Sequence, residues 1–409
     1  MKLLRDAFLI TLIMFVVMFG LSNIPLQFET FNPIQNVFKD FDITDIVFSQ
    51  LKKDPKLDDK IVVVNIGKLD RGEIGQLLEK IATQKPKVVG IDAFFRKLRD
   101  DKSDTLLQKG IEACKNVVFV SQLQGFNDKT KQYDTLNITN PFFSGKMINS
   151  YANLTTTGDE NMSEFLTCRS FIPQTKCKGK NEVAFAVKLA EIYDKNKAKK
   201  FLARKNVSEY INYRGNIKTG KNAENVYTSV DFSQVLNDEV ENDVFTNRIV
   251  LLGFMGNSLQ ENSFDDKFYT PLNKNYVGKS TPDMYGIVVH ANIISMILNQ
   301  DYIDEMNEYM NIFLAIVLIF SSVLLFSFFY NRIGFWFDSV TLVMQFVFAI
   351  LLFTINIYAF YTFNLRVNIN LALAGAVLSG LMVEFYYGLF VKLYEKTKKQ
   401  PTKEIVNNL

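Results

Sequence analysis

Six polar residues of this sequence are candidates for a ligand site, because two of them are expected at or just past the ends of strands and the other four could complete a polar pocket there. The six are Asp92, Arg214, Asp265, Thr270, His290 and Asn292. Charged and hydrogen-bonding groups of this kind orient a small ligand in a protein pocket. A structural interpretation competes: Asp92 caps the next element, Arg214 pairs with a carboxylate, and His290 and Asn292 are hydrogen-bonded at a helix start. For the cluster as a whole, the sequence leaves both interpretations open.

Catalysis is a weaker interpretation of the same residues. His290 is the single histidine of the chain, and it is the natural pH-sensitive group because imidazole titrates near neutrality. The sequence shows no pair of carboxylates with a recognisable acid and base, and no supported Ser/His/Asp order. We therefore expect no enzymatic activity, and an enzyme using Asp92, Asp265 and His290 remains the alternative. No zinc pattern or cofactor motif is found, so no metal and no cofactor are predicted.

The positions of these residues in the fold can be predicted from apolar runs that have the length of a strand. Residues 61–66, 87–92, 116–121 and 248–253 form such runs, and stretches with helical spacing at 71–84, 105–114, 182–193 and 288–298 alternate with them. This alternation predicts an α/β domain with a mostly parallel sheet flanked by helices. A further strand is expected around 210–213, and 126–157 is expected to be an inserted hairpin. In open sheets of this kind, ligands bind beyond the carboxyl ends of strands, where we place Asn65, Asp92, Arg214 and the loop 253–258.

Four apolar segments flank this polar region, at about 7–21, 311–330, 337–361 and 367–391. The last three are long enough to cross a bilayer with a hydrocarbon core of about 30 Å. The first is shorter and follows Lys2 and Arg5, as in a signal peptide, but no A-x-A-like cleavage site follows it. We therefore favour an uncleaved anchor over a removed signal peptide.

Basic residues near these segments predict the orientation, because they tend to stay in the cytoplasm. With four spans, Lys2, Arg5, Arg332 and the lysines after residue 391 fall on one side, and Arg366 alone disagrees. The predicted organisation is an anchor at 1–23, an extracytoplasmic domain at 24–310, three transmembrane helices at 311–391 and a basic cytoplasmic tail at 392–409. The protein is thus expected in a cell membrane, which is the inner membrane in a Gram-negative organism, with its main domain facing the periplasm or the exterior.

The charge balance and the cysteines of the chain limit the kinds of partner and cross-link that we expect. The chain has 46 basic and 43 acidic residues, so there is no electrostatic case for binding nucleic acid. The basic tail is expected to touch anionic lipid heads. Of the three cysteines, Cys168 and Cys177 flank a short loop and either form a disulfide or stay free, while Cys114 is expected to be a small buried hydrophobe.

The last span carries a stripe at every fourth residue, formed by Ala372, Ala376, Gly380, Glu384 and Gly388. Small residues allow close approach of another helix in a bilayer, and an intramembrane carboxylate needs protein or water beside it. We expect the stripe to pack within the bundle, with a homodimer or partner contact as the alternative.

An ordered set of motifs resembles the CHASE2 family. The motifs are residues 61–66, Val88-Val-Gly-Ile-Asp92-Ala-Phe-Phe95, Ile211-Asn-Tyr-Arg-Gly215, Arg248-Ile-Val-Leu-Leu-Gly253, Asp265 with Tyr269-Thr-Pro-Leu272, and Tyr285-Gly-Ile-Val-Val-His-Ala-Asn292. The resemblance implies an extracytoplasmic sensory module between one spanning helix and three more, usually joined to a cyclase or kinase. Two departures stand out. Asn65-Ile66-Gly67-Lys68 lies where many relatives carry an acidic residue, and no effector domain is found.

The predicted function is therefore a membrane-anchored sensory or ligand-binding protein that acts through a partner. Its ligand, a small molecule or a protein outside the cytoplasm, is not identified by the sequence. A homodimer and a separate cytoplasmic effector are the expected means of passing on a signal. The alternative is a structural subunit of an envelope complex whose outer domain binds protein.

Overall fold

The computed structural model describes residues 2–22, 42–52, 56–143, 147–154, 167–217, 226–261, 263–274, 281–333 and 336–392. The chain divides into two compact units, Asn36–Ile303 and the combination of Met1–Gln35 with Asp304–Leu409. The first unit contains the sheet, and the second contains the long apolar helices.

The described strands are β1 (Ile61–Asn65), β2 (Val88–Ile91), β3 (Val117–Asn127), β4 (Gln132–Asn137), β5 (Ile148–Tyr151), β6 (Ser170–Phe171), β7 (Gln174–Cys177), β8 (Lys180–Val183), β9 (Glu209–Tyr210), β10 (Thr228–Asp231), β11 (Ile249–Gly253), β12 (Lys267–Phe268), β13 (Met284–Tyr285), β14 (Asp304–Glu305) and β15 (Leu365–Arg366). The described α-helices are α1 (Lys2–Ser22), α2 (Ile43–Ile46), α3 (Arg71–Thr83), α4 (Asp101–Ala113), α5 (Phe185–Tyr193), α6 (Lys195–Leu202), α7 (Phe232–Leu236), α8 (Gly286–Asn299), α9 (Glu308–Ile333), α10 (Phe337–Phe363) and α11 (Asn370–Phe385). Short π-helical turns follow α2 and α11, at Val47–Leu51 and Tyr386–Val391.

The main sheet confirms the predicted α/β class. Five of its strands are parallel to one another, in the order β10-β1-β11-β2-β3. β5 pairs in parallel with the first part of β3, at residues 118–121. Every residue of β1, β2 and β11 is buried. Helices cover both faces, which explains why these strands read as continuous apolar runs.

One face of the sheet is covered by α3, α4 and α7, whose apolar residues join Val62, Val64 and Ile91 in one core. Asp70 and Glu73 form a capping box that starts α3, with hydrogen bonds of 2.8 Å in both directions. A Cβ atom at Gly110 would collide with the backbone of Gly75. Glycine at these two positions therefore allows α3 and α4 to touch backbone to backbone.

The other face is covered by α5 and α8. A Cβ atom at Gly90 of β2 would lie 2.9 Å from the Phe185 ring, and one at Gly253 of β11 would lie 2.7 Å from Ile287. The two helices thus begin side by side above the carboxyl ends of β2 and β11.

Two expectations about local structure are corrected. The hairpin begins earlier than predicted, because β3 itself continues to Asn127 and turns back as the antiparallel β4. The strand expected at 210–213 is limited to β9, which pairs with β6 outside the main sheet. The amides of Arg214 and Gly215 instead donate to Oδ1 of Asn292 on α8, so Arg214 does not end a strand of the main sheet.

In the second unit, four helices are long and apolar enough to cross a membrane: Lys2–Gly20, Glu308–Ile333, Phe337–Phe363 and Asn370–Val391. They pack around a core that includes Ile10, Met14, Ile319 and Val383. The hydroxyls of Ser322 and Ser379 share a buried hydrogen bond of 2.7 Å between the second and fourth of these helices. Asp6 is 2% exposed and accepts long hydrogen bonds of 3.5 Å from Tyr386 and Tyr387.

Candidate ligand site at the carboxyl edge of the sheet

Asn65 organises the edge at which the parallel strands end. Its Oδ1 accepts hydrogen bonds from the amides of Gly67 at 3.0 Å and Met255 at 2.8 Å. Its Nδ2 donates to the carbonyl of Gly256 at 3.1 Å and to Asp231 at 3.3 Å. One buried amide therefore joins the loops that follow β1, β10 and β11, which accounts for an amide at this position without invoking a ligand.

Asp92 lies at the end of the next strand, β2, and differs from Asn65. Its amide continues the sheet by donating to the carbonyl of Leu252 at 2.8 Å. Its half-buried carboxylate receives no hydrogen bond from any residue in the described ranges. Burial, together with the charge of Asp266, raises the pKa of Asp92 to about 7. In the described part of the chain, Asp92 is thus a carboxylate with no hydrogen-bond donor or cation that stabilises its charge.

Asp266 is the second acidic group of this edge. It has a left-handed backbone, with φ of 59°, and its carbonyl accepts from the amide of Gly286, the first residue of α8. A Cβ atom on Gly286 would lie 3.7 and 3.8 Å from the two carboxylate oxygens of Asp266. Desolvation by its surroundings raises the pKa of Asp266 to about 6, although Asp266, like Asp265, is exposed at the surface.

The neighbouring predicted residues have other roles. Thr270 donates from its amide, at 2.8 Å, and from its hydroxyl, at 2.6 Å, to Asp283. Burial raises the pKa of Asp283 to about 6. Asp265 is exposed, and its amide donates to the hydroxyl of Ser263 at 3.2 Å. Thr270 is therefore engaged by a protein carboxylate, and Asp265 is directed to solvent.

His290 is 4% exposed and lies on the side of α8 that meets α5. Its ring contacts Phe185 edge-on, with centroids 5.2 Å apart. Its Nδ1 has no hydrogen-bond partner among the described residues. Burial lowers the pKa of His290 to about 4, so the imidazole is neutral at physiological pH.

Arg214 and Asn292 form a separate group on another side of α8. Asn292 also accepts from the hydroxyl of Tyr227 at 3.1 Å and donates to the carbonyl of Gly215 at 2.9 Å. Arg214 donates from Nε to Ser295 at 2.9 Å and lies 4.0 Å from Asp58. Both residues therefore hold the segment 213–215 against α8.

The six predicted residues thus fall into different surroundings. Asp92 remains at an open edge, while Thr270, Arg214 and Asn292 are engaged in internal hydrogen bonds. Sequence reasoning missed Asp266 and Asp283. The sequence does not indicate whether Asp265 or Asp266 lies near Asp92. That choice depends on the left-handed backbone at Asp266, which the sequence does not predict.

Two carboxylates with raised pKa values at one edge can receive a proton, a cationic group or a hydrogen-bond donor. Such a group would relieve the repulsion between Asp92 and Asp266. Within the described ranges, no set of three or more His, Cys, Asp or Glu residues could hold a metal ion.

The cysteines are all free and buried. The amide of Cys168 donates to the carbonyl of Tyr269, whereas Cys177 ends β7 and pairs with Tyr133 of β4. The disulfide considered from the sequence is not formed in the structure: Cys168 lies before β6, which pairs outside the main sheet, whereas Cys177 is the last residue of β7. Burial raises the pKa of both thiols.

The stripe of the last span turns from the inside of the bundle to its outside. Ala372 and Ala376 are buried, and a Cβ atom on Gly380 would collide with Thr341. Glu384 is exposed, and no described atom lies within 4 Å of a Cβ built on Gly388. Since each residue turns an α-helix by about 100°, a step of four residues drifts by about 40°. The drift adds up from Ala372 to Glu384, and Gly388 lies beyond the α-helix in the π-helical turn, so the five residues do not share one packed face.

Comparison with known proteins gives one match. The model of the CHASE2 domain family matches residues 12–327, which is more than three quarters of the chain. No curated protein and no solved structure matches significantly.

Proposed function

The chain belongs to the CHASE2 family, and we propose that it is a sensor whose α/β domain lies outside the cytoplasm and binds a small ligand beside Asp92. CHASE2 is a family of extracytoplasmic sensory domains, and four apolar helices make the chain a multi-pass membrane protein. The placement of Lys2, Arg5 and Arg332 supports the proposed orientation.

The observation that carries the proposal is the state of the Asp92 carboxylate. It ends a buried parallel strand at the edge where such sheets bind ligands. It is half-buried, it faces the charge of Asp266, and no described residue donates to it. A ligand with an ammonium group or several hydroxyls would supply the missing donors, so the proposed ligand class is a small amine or polyol.

We propose binding without catalysis. His290 and Asp265, which an enzyme would need together with Asp92, have opposite surroundings. The imidazole is buried against Phe185, whereas Asp265 is exposed. A neutral, buried imidazole and a solvent-facing carboxylate support binding better than proton transfer between them.

Signalling in this proposal requires a ligand that prefers one state of the domain, because binding shifts an equilibrium only by differential affinity. The spans would pass that shift to a separate cytoplasmic protein. Asn212 supports such coupling, since its side chain contacts Lys52 and Asp301. Lys52 lies in the first described segment after the first span, and Asp301 lies shortly before the second span.

The binding site is tested by thermal unfolding of the full-length protein in detergent with a panel of small primary amines and polyols. Compounds that stabilise the wild type should lose their effect on Asp92→Asn. They should keep it on Asp128→Asn, a matched change at a carboxylate whose side chain is 85% exposed on the hairpin. Equal stabilisation of all three proteins would place the binding elsewhere.

The orientation is tested by labelling intact cells with a membrane-impermeant maleimide. Asp128→Cys introduces an exposed thiol on the domain, and the natural cysteines are buried. Labelling without lysis is the expected result, and labelling only after lysis would place the domain in the cytoplasm.

A further inference from the structure

The loop between β2 and α4 displays apolar and basic side chains together. Phe94 is 45% exposed and Leu98 is 52% exposed. Arg96, Lys97 and Arg99 are also exposed. Beside this loop, Ile138 is 43% exposed and Phe142 is 41% exposed. We call this set of seven residues the basic apolar patch.

The two parts of the basic apolar patch are fixed to each other. The amide of Asn140 donates to the carbonyl of Phe95 at 2.8 Å, and its side chain donates to the carbonyl of Arg96 at 3.4 Å. Phe95 itself is buried and contacts Phe143 with ring centroids 6.0 Å apart. The loop is thus anchored at its centre, and its flanking side chains are presented outward.

The buried side chains of Arg71 and Asp104 also bind the backbone of the loop. Arg71 is 7% exposed and donates from its guanidinium to the carbonyl of Lys97 at 2.6 Å. The amide of Arg99 donates to Asp104 at 2.7 Å, and Asp104 is paired with Arg71. A surface held in this way is preorganised for a partner, which lowers the entropy lost on binding.

The cations of the patch have no counter-charge within the described part of the chain. Arg96 donates to the amide oxygen of Gln122 at 2.8 Å and lies 4.2 Å from the centroid of the Phe94 ring. Among the residues that the structure describes, Arg96, Lys97 and Arg99 form no ion pair. Three positive charges within four residues are therefore available to an external anion.

We infer that the basic apolar patch docks an acidic, apolar segment of a partner protein outside the membrane. Aromatic and arginine side chains supply most of the binding energy at protein interfaces, and complementary charge supplies specificity and speed of association. The inference does not rest on the ligand site at Asp92, because it uses other side chains and another kind of partner.

Two other anionic partners fit less well. An anionic polysaccharide would satisfy the cations but leave Phe94, Leu98, Ile138 and Phe142 without an apolar contact. An anionic lipid surface would also face Asp100 and Asp101, which are exposed directly after Arg99. A discrete acidic segment can contact the cations and avoid these two carboxylates.

The test is site-specific photocrosslinking in intact cells, with a photoreactive phenylalanine in place of Leu98 in the full-length chain. Val207, which is 83% exposed, is the matched control position. We expect an adduct at residue 98 that is absent at residue 207, and mass spectrometry of the adduct should identify a partner peptide with net negative charge and apolar residues.

Reversal of the charges of the patch then distinguishes specific docking from random crosslinking. Lys97→Glu with Arg99→Glu should reduce the adduct by about tenfold, corresponding to about 1.4 kcal/mol. Lys178→Glu with Lys180→Glu, at an exposed turn elsewhere, should leave it unchanged. If the first pair of changes impairs folding, Phe142→Ser is used instead and should also reduce the adduct. An adduct only with lipid, with glycan or with a second copy of this chain would overturn the inference, as would equal crosslinking at residues 98 and 207.

Discussion

Nζ of Lys52 donates a hydrogen bond of 2.5 Å to Oδ1 of Asn212, and the Nδ2 group of the same asparagine donates to the carbonyl of Asp301 at 3.2 Å. Lys52 also donates to the carbonyl of Tyr213 at 2.7 Å. Burial lowers the pKa of Lys52 to about 8. A single side chain thus connects the segment that enters the domain with the segment that leaves it.

We predict that Asn212→Ala destabilises the domain. The change removes one acceptor of the half-buried Lys52 ammonium and the Asn212 donor to the Asp301 carbonyl, so the loss should be about 1–3 kcal/mol of unfolding free energy. Denaturant unfolding of the full-length protein in detergent measures it. Asn181→Ala, at an exposed position of β8, is the control, and equal stability of the two variants would contradict this role.

The raised pKa of Asp92 predicts a dependence of stability on pH. In the folded protein this carboxyl group holds its proton up to about pH 7, whereas an unfolded chain releases it near 3.8. The native state therefore binds more protons across this window, and the contribution of Asp92 to stability falls as pH rises. Asp92→Asn should nearly match the wild type near pH 4 and exceed it by about 4 kcal/mol at pH 8, because each unit between the folded and the unfolded pKa corresponds to about 1.4 kcal/mol. A constant difference in melting temperature between the two proteins from pH 4 to 8 would contradict the assignment.

His290 predicts the opposite trend. Burial lowers its pKa from 6.5 to about 4, so the unfolded chain takes up a proton that the folded protein excludes. The contribution of His290 to stability is lost as pH falls from 6.5 toward 4. His290→Leu should gain about 2 kcal/mol relative to the wild type between pH 7 and pH 5. Thermal unfolding at the two pH values measures this, and an unchanged difference would show that the imidazole is protonated in the fold.

We predict that two glycines of the last span differ in how well they tolerate replacement by leucine. A Cβ atom on Gly375 would collide with Ile319 and lie 3.3 Å from Met14, whereas Gly388 has open space around it within the described residues. Gly375→Leu should destabilise the bundle by about 1–3 kcal/mol because overpacking forces neighbouring side chains apart. Gly388→Leu should leave it nearly unchanged. The fraction of folded protein that remains after heating in detergent, measured by size-exclusion chromatography, compares the two variants.

The sequence predicted the parallel sheet because strands buried on both faces must be continuously apolar, as β1, β2 and β11 are. It misplaced Arg214, because the amides after β9 are satisfied by the side chain of Asn292 on α8, a contact between residues 78 positions apart. Periodicity in the sequence carries no signal for such a contact.

The stripe of the last span shows a similar limit. Spacing by four residues suggests one face, but the drift of the helix turns Glu384 and Gly388 away from Ala372. The candidate site was predicted at Asp92 because a strand end is visible in the sequence. Asp266 was not, because its position depends on the fold of the loop before α8.

Hydrogen–deuterium exchange of the full-length protein in lipid nanodiscs tests the central claim most directly. It would compare the free protein with the protein bound to the most stabilising amine or polyol of the panel. We expect protection at the loops that contain Asp92 and Asp266, together with a change in exchange at residues 42–52 and 300–305 around Lys52 and Asp301. Protection that leaves the edge at Asp92 unaffected would contradict the site, and protection confined to that edge would contradict its coupling to the segments nearest the spans.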